Sequence, residues 1–285
     1  MALLEEHVLT LHYQPIFDAR TGQVAKLEAL VRWQHPKYGW LGPDRFIGIA
    51  ETNGLIIDLD LWVLRRACTD LALLQRQGVG GFKVTVNCSA VTLSHDALPN
   101  EVERVLAETG LAATLLELEV TENALMGDMQ RTVNVLKCIR ALGVTLSIDD
   151  FGTGYSSLAY LKRLPLDVLK IDRTFLQDVP HSLKDCQIVQ AIIAMAHTLH
   201  LQVVSEGVEK AEQQAFLQDH GCDCLQGYLL GRPAALAELR PLLLRLRPPA
   251  VTLTACSGIA PPRSTDPGPE NPGLRAGAST ARRGH

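Results

Sequence analysis

Short apolar, β-branched runs recur along this chain, each followed by a longer stretch with helical spacing and then by Gly, Pro or Asn, and that alternation restricts the fold more than any other feature. The runs fall at residues 83–87, 115–120, 145–148, 168–171, 202–205 and, more weakly, 224–226. The intervening helical patterns fall at 59–77, 98–108, 130–142, 183–200 and 210–220. Strands that are apolar on both faces and separated by helices imply a mostly parallel sheet covered by helices. Ahead of them, residues 9–17 and 24–33 suit two strands joined by a turn at Asp18–Gly22, where Gly supplies a positive φ, and these form an antiparallel pair. With that pair counted, the strand number is about eight, which favours a closed barrel over an open sheet. The expected fold is therefore α/β, a modified (β/α)8 TIM-like barrel with one antiparallel strand.

The barrel pattern occupies residues 1–247. From residue 248 to 285 the sequence turns to Pro, Gly, Ser and Arg with almost no apolar periodicity. Such a stretch cannot bury enough surface to offset an ordering cost of about 1–2 kcal/mol per residue, so a disordered tail is expected. A net charge of −4 argues against a protein that grips duplex nucleic acid through surplus Lys and Arg. No apolar run reaches the ~18 residues of a membrane span and no signal peptide is evident, so the chain reads as cytoplasmic. Seven scattered cysteines without a CxxC pair read as reduced thiols, the Cys222/Cys224 pair included.

Chemistry is concentrated where the strands end. In order, those positions carry Glu28, Asn87, Glu119, Asp149 with Asp150, Lys170, Glu206 and Gln226. In a parallel barrel these ends meet on one face, where barrel enzymes build their sites. A single acid at a strand end ordinarily caps the next helix or pairs with a surface lysine. Five converging acids are a different matter, since two unit charges 4 Å apart repel by about 4 kcal/mol at an effective dielectric of 20. Cations between them remove that cost. A set of Glu, Asp and Asn without Cys or clustered His suits hard ions, two Mg2+ or Mn2+, and metal-assisted phosphoryl hydrolysis is the natural chemistry. Asp149 is the best candidate bridge between two ions. Calcium, larger and looser in its coordination, is expected to inhibit. Gly152 and Gly154 lack the further signals of a phosphate loop, and His197 with His200 has no accompanying carboxylate motif, so neither pair is read as a ligand site.

The same residues carry a resemblance. The stretches YQPIFD, LEALVRWQHP, FIGIAETNGLI, VNCSA, LELEVTE, SIDDFGTGYSSLAYLKRLPLDVLKID, SEGVE and QGYLLGRP, in that order from about Leu9 to Leu244, resemble the EAL domain family, named for the triplet at Glu28, Ala29 and Leu30. That resemblance implies a modified βα barrel that binds two Mg or Mn ions and opens one phosphodiester of cyclic di-GMP to give pGpG. Position by position it implies that Glu28, Asn87, Glu119 and Asp149 hold one ion and that Asp149, Asp150 and Glu206 hold the other. Lys170 matches the residue that polarises the attacking water, Gln226 a polar group supporting it, and Glu122 a residue that holds the Gly-rich loop and links the site to dimerisation. Gln14 and Arg32 match substrate contacts. The resemblance also implies a homodimer, and members of the family commonly carry sensor or diguanylate-cyclase (GGDEF) domains. Cys88 and Ser205 depart from the usual residues of their motifs, and neither removes a ligand. The competing expectations are a cyclic di-GMP receptor without hydrolysis, which typically loses ligands or the DDFGTG loop, and a barrel metallohydrolase acting on another phosphodiester.

Overall fold

The structure is a computed structural model and describes residues 9–126, 129–152 and 161–246. The segment expected to be a disordered tail, and Gly154, lie outside the described residues. The chain divides into two units, Met1–Ala250 and Val251–His285, and the architecture below belongs to the first.

Nine strands form one sheet in the order β1-β9-β8-β7-β6-β5-β4-β2-β3, and a further pairing of β1 with β2 closes it. They are β1 (Leu9–Asp18), β2 (Val24–His35), β3 (Gly39–Leu41), β4 (Lys83–Cys88), β5 (Leu116–Thr121), β6 (Thr145–Phe151), β7 (Val168–Ile171), β8 (Gln202–Ser205) and β9 (Cys224–Leu225). Eight of them make the barrel, and β3 extends β2 as a short hairpin outside the closure. From β2 through β4 to β9 the barrel pairings are parallel, while β1 runs antiparallel to both of its neighbours. The barrel with one reversed strand is thus the fold expected from the alternation. The turn between β1 and β2 is also as expected: Gly22 has φ +67°, and the Asp18 carboxylate accepts from the Thr21 amide at 2.7 Å.

Side-chain alternation gives each strand two different faces. Val84 and Val86, Leu116 and Leu118, Leu146 and Ile148, and Leu169 and Ile171 belong to the large apolar core beneath the helices. Alternate positions on the same strands are polar: Thr85 and Asn87, Glu117 and Glu119, Ser147 and Asp149, and Lys170, all but Asn87 buried. These share the barrel interior with a small separate cluster of Ile16, Val168, Val204 and Cys224. Deep in that interior the Lys26 ammonium contacts both oxygens of Glu117 at 2.7 and 2.8 Å.

The helices seal the outer face. Along Ile56–Arg76 the buried positions Ile56, Leu59, Val63, Ala67, Leu71 and Leu74 recur every three or four residues, the stripe of a helix laid on a sheet. Its one buried acid, Asp70, is satisfied by the Tyr13 hydroxyl at 2.8 Å and by Arg66 at 3.0 Å. The helix Leu98–Thr109 stops at Gly110, whose φ of +70° is the left-handed cap that glycine adopts without a Cβ clash. Among the described residues, no helix is long and apolar enough to cross a membrane.

Candidate active site

Because every parallel strand delivers its C-terminal end to the same rim, the polar interior positions rise into one cluster there. At its centre is Lys170, 1% exposed. Its ammonium lies 2.6 Å from Glu206 Oε1, 2.8 Å from Glu119 Oε2, 3.3 Å from Asp149 Oδ1 and 3.9 Å from Glu28 Oε1. Four strands therefore aim their acids at one cation.

Local structure explains how β6 supplies two adjacent acids to one site, which strict alternation forbids. The register of β6 against β7 shifts between Ile148 and Phe151, and Asp150 takes a positive φ of 54°. An irregularity of this kind re-aims side chains. Consequently Asp149, Asp150 and Glu206 bring carboxylate oxygens within 4.8 Å of one another. The Asp149 carboxylate also accepts from the Asp150 amide at 2.9 Å, which fixes the turn.

A second set of contacts ties β1, β2, β4 and β9 together. Asn87 donates to Glu28 Oε1 at 3.1 Å, and the Gln226 amide donates to Glu28 Oε2 at 2.5 Å and to Gln14 Oε1 at 3.3 Å. Gln14 in turn donates to the Gly231 carbonyl at 3.0 Å. Arg32 is half-buried beside the site, its guanidinium donating to the Val31 carbonyl and lying in the field of Glu28 and Tyr228. Glu122, buried after β5, accepts from the Gly152 amide at 2.9 Å. Gly152 itself has φ +94°, and a Cβ there would stand 2.6 Å from the Phe175 ring, so this position tolerates only glycine.

The charge balance of the cluster is lopsided. Burial first, then repulsion from Asp149 and Glu28, pushes Glu206 up to about 8 despite the opposing pull of Lys170. Burial likewise holds Glu119 well above the usual carboxylate range, and burial with the neighbouring Asp149 raises Asp150. Burial acts to lower Lys170, but the carboxylates of Asp149, Glu119, Glu206 and Glu28 outweigh it and keep the ammonium charged. Glu119 Oε1 and Gln226 Oε1 are buried without a hydrogen-bond partner among the described residues. Orphaned acceptors and carboxylates too close to remain ionised together are what divalent cations relieve, and an all-oxygen donor set suits Mg2+ or Mn2+. The residues fit such ions.

Of the positions singled out in the sequence, Glu28, Asn87, Glu119, Asp149, Asp150, Lys170, Glu206, Gln226 and Gln14 thus converge, with Arg32 and Glu122 at the periphery. His197 instead pairs with Asp223 at 2.9 Å on the exposed surface. Cys222 and Cys224 are buried, and burial raises both thiols, Cys224 to about 11. The sequence reading missed Arg173, Glu209 and Tyr228. They line a cavity of about 190 Å3 together with Gln14, Glu28, Asp149, Glu206 and Gln226. Each follows a strand by two to four residues, and loop residues carry no periodicity that would reveal their direction. A larger cavity of about 650 Å3 opens beside Asn87 and Asp150 and is walled by Leu30, Ile47, Ile56, Leu59 and Val63.

Comparison with known proteins agrees with this geometry. The EAL domain family model matches residues 1–233. The cyclic di-GMP phosphodiesterase NbdA of Pseudomonas aeruginosa is 57% identical over 244 residues, which is 86% of this chain and 31% of that protein. The bifunctional diguanylate cyclase/cyclic di-GMP phosphodiesterase MucR of the same organism is 45% identical over 236 residues, 83% of this chain and 34% of that protein. This chain accordingly spans about a third of the length of these curated relatives. A solved structure of the PaMucR phosphodiesterase in complex with c-di-GMP superimposes with a TM-score of 0.79 at 45% identity, covering 83% of this chain and 96% of that one. Closed barrel, acid-lined rim and matched sequence lead to one assignment: the chain belongs to the EAL domain family.

Proposed function

We propose that this domain hydrolyses one phosphodiester bond of cyclic di-GMP, giving linear pGpG, with two Mg2+ or Mn2+ ions as cofactors. The single observation that carries the reading is the buried Lys170 ammonium surrounded at 2.6–3.9 Å by Glu206, Glu119, Asp149 and Glu28. A lysine alone cannot neutralise so many acids, and the named activities of NbdA and MucR supply the matching substrate.

On this reading Glu28, Asn87, Glu119 and Asp149 hold one cation and Asp149, Asp150 and Glu206 the other, with Asp149 shared. Cations bound there would supply Lewis acidity, which lowers the pKa of water from 15.7 towards about 7 and favours departure of the leaving oxygen. The chain's own groups do the rest. Lys170, relieved of part of its ion pairing when cations neutralise the acids, orients the attacking water through its ammonium. Gln226 keeps Glu28 in place through its NH2 and offers its unpartnered Oε1 to the same water. Glu122 holds the backbone of Gly152, and so the loop that follows Asp149 and Asp150. Gln14 and Arg32 contact the substrate, Arg32 through a phosphate oxygen for which its planar fork is suited. The proposal extends to a cytoplasmic location, to a homodimer, and to control by a sensor or GGDEF domain; MucR, which this chain resembles over part of its length, is named as a bifunctional diguanylate cyclase and phosphodiesterase.

The test is single-turnover hydrolysis of cyclic di-GMP by purified protein at saturating Mg2+, with product identified as pGpG. Glu28→Ala and Asp149→Ala should each cut the rate by orders of magnitude. Lys170→Ala should lower kcat far more than it weakens substrate binding, the mark of an interaction made in the transition state. Undiminished turnover in excess EDTA, or near-normal turnover by Lys170→Ala, refutes the assigned chemistry. Tight binding without hydrolysis by the unsubstituted protein makes it a receptor.

A further inference from the structure

Tyr228 is half exposed, at 51%, on the wall of the cavity that contains Glu28, Asp149, Glu206 and Gln226. Its ring does not pack into the core, and its hydroxyl makes no hydrogen bond among the described residues. Yet the backbone that presents it is tightly built. The Val208 amide donates to the Gln226 carbonyl at 3.0 Å, the Leu229 amide to the Val208 carbonyl at 3.1 Å, and the Gly231 amide to the Gly227 carbonyl at 3.0 Å. Gly227 is pressed so closely on this lattice that a Cβ there would stand 2.1 Å from the Val208 carbonyl oxygen. The Arg232 guanidinium covers one face of the Tyr228 ring at 4.2 Å and has no carboxylate partner among the described residues. A rigid turn therefore holds an aromatic ring with one face backed by a cation and leaves the rest of it in the cavity.

We infer that Tyr228, backed by Arg232, is the stacking platform for one guanine of the substrate. This rests on the cyclic di-GMP reading and deepens it. The acids of the rim repel a phosphodiester and attract it only through cations, so they cannot by themselves distinguish a dinucleotide from any other diester. An exposed ring supplies that distinction because a purine offers a broad π face. The guanidinium fixes the ring by a cation–π contact, which lowers the entropy lost when a base settles on it. Tyr228 also begins only two residues beyond Gln226, which places the platform beside the water-supporting amide.

The test compares Tyr228→Leu, Tyr228→Phe and Arg232→Gln with the unsubstituted protein, reading kcat, KM and melting temperature in Mg2+, and the Kd of cyclic di-GMP by calorimetric titration in Ca2+. Stacking on an aromatic side chain predicts that Tyr228→Leu raises KM and Kd by about tenfold to a hundredfold. Its kcat should stay within about twofold, because the contact is the same in ground and transition states. Tyr228→Phe should stay within about threefold of the parent in every constant, and Arg232→Gln should raise Kd by a few-fold. An unchanged Kd for Tyr228→Leu overturns the inference. So does a fall in kcat with Kd unchanged, which would mark distortion of the acid cluster instead. If the unsubstituted protein binds cyclic di-GMP without cleaving it, the activity falls while the titration still decides the stacking. If it does not bind, both fall together.

Discussion

Lys26 offers the sharpest energetic test of the barrel interior. Its ammonium and the Glu117 carboxylate meet at 2.7 Å, and the two residues are 4% and 0% exposed. At an effective dielectric of 20 their attraction is about 6 kcal/mol, most of which offsets the cost of removing both charges from water. Deleting the lysine leaves that cost on Glu117 with only the more distant attraction of Lys83 to oppose it. Lys83, the neighbouring cation, is half-buried and already donates to Thr145 Oγ1 at 2.7 Å. Lys26→Met should therefore destabilise the domain by about 3–5 kcal/mol, the range for breaking a buried pair from one side. For a domain of this size that corresponds to a melting temperature about 6–20 °C lower.

The companion protein Lys26→Met/Glu117→Leu removes both charges and keeps the volume, and should recover most of the loss. The assay is thermal and urea unfolding of the parent, both singles and the double, at fixed Mg2+ so that ligand linkage is constant. The pair lies on the interior face two residues before Glu28 and Glu119, so Mn2+ affinity of the folded Lys26→Met protein should remain within about threefold. A melting point within 2 °C of the parent for Lys26→Met would refute the reasoning. A double no more stable than the single would show that packing, and not an uncompensated charge, had been lost.

Other outcomes follow from the same geometry. With Glu206 raised to about 8 in the cation-free protein, a divalent ion must displace its proton; apparent Mg2+ affinity should climb with pH and level off above about 8, and calorimetry at pH 7 in two buffers should detect proton release, whose absence would contradict the assignment. The sign for stability is opposite, because the folded carboxyl is more basic than the unfolded one: cation-free stability should be highest on the acid side and decline as pH rises through 8, and saturating Mg2+ should abolish that decline. Replacing Mg2+ by Ca2+ should suppress turnover, as read by pGpG formation. Gly152→Ala, with its φ of +94° and Phe175 at 2.6 Å, should cost about 1–3 kcal/mol and most of the activity, while Glu122→Gln, which keeps an acceptor for the Gly152 amide, should retain more activity than Glu122→Ala. Removing residues 248–285 should leave melting temperature and turnover nearly unchanged, since that composition promises no core contact; a drop of several degrees would show that the tail packs on the barrel.

How much of this was readable beforehand varies with the physics of each element. Strands β7 and β8 fall at the expected residues because short apolar runs with sharp ends have few alternatives. The helix Leu236–Arg245 was not anticipated, since Pro241 lies within it and a proline normally reads as a stop. The three-residue β3 is too short to show a period. Convergence of the acids was legible because strand direction fixes which ends meet. That Glu117 pairs with Lys26 beneath the rim was not, as pairing depends on the register between strands far apart in sequence. The direction of Tyr228 and Arg173 depends on loop conformation, which leaves no periodic trace at all.

The interior ion pair and the rim differ in a way that bears on function. At Lys26 and Glu117 one ammonium meets one carboxylate, both oxygens are contacted and both side chains are buried, so the pair is satisfied as folded. At the rim Glu28, Glu119, Asp149, Asp150 and Glu206 gather about one buried cation, Lys170, with Arg173 on the cavity wall and Arg32 at the periphery, so if all five ionise they outnumber the buried positive charge by four. Two divalent ions supply four positive charges. On the proposed reading the same count gives Lys170 two states. Without cations it is the counter-ion that lets the acids share a pocket, pulled at once by four carboxylates. Cations held by those carboxylates would neutralise them, and the ammonium would keep its charge with donors left free for water. On the proposed reading, a lysine in this position would couple metal loading to catalytic readiness. Replacing it with methionine should strip that coupling: the variant should bind its ions at least as tightly as the parent and yet turn over slowly at any Mg2+ concentration.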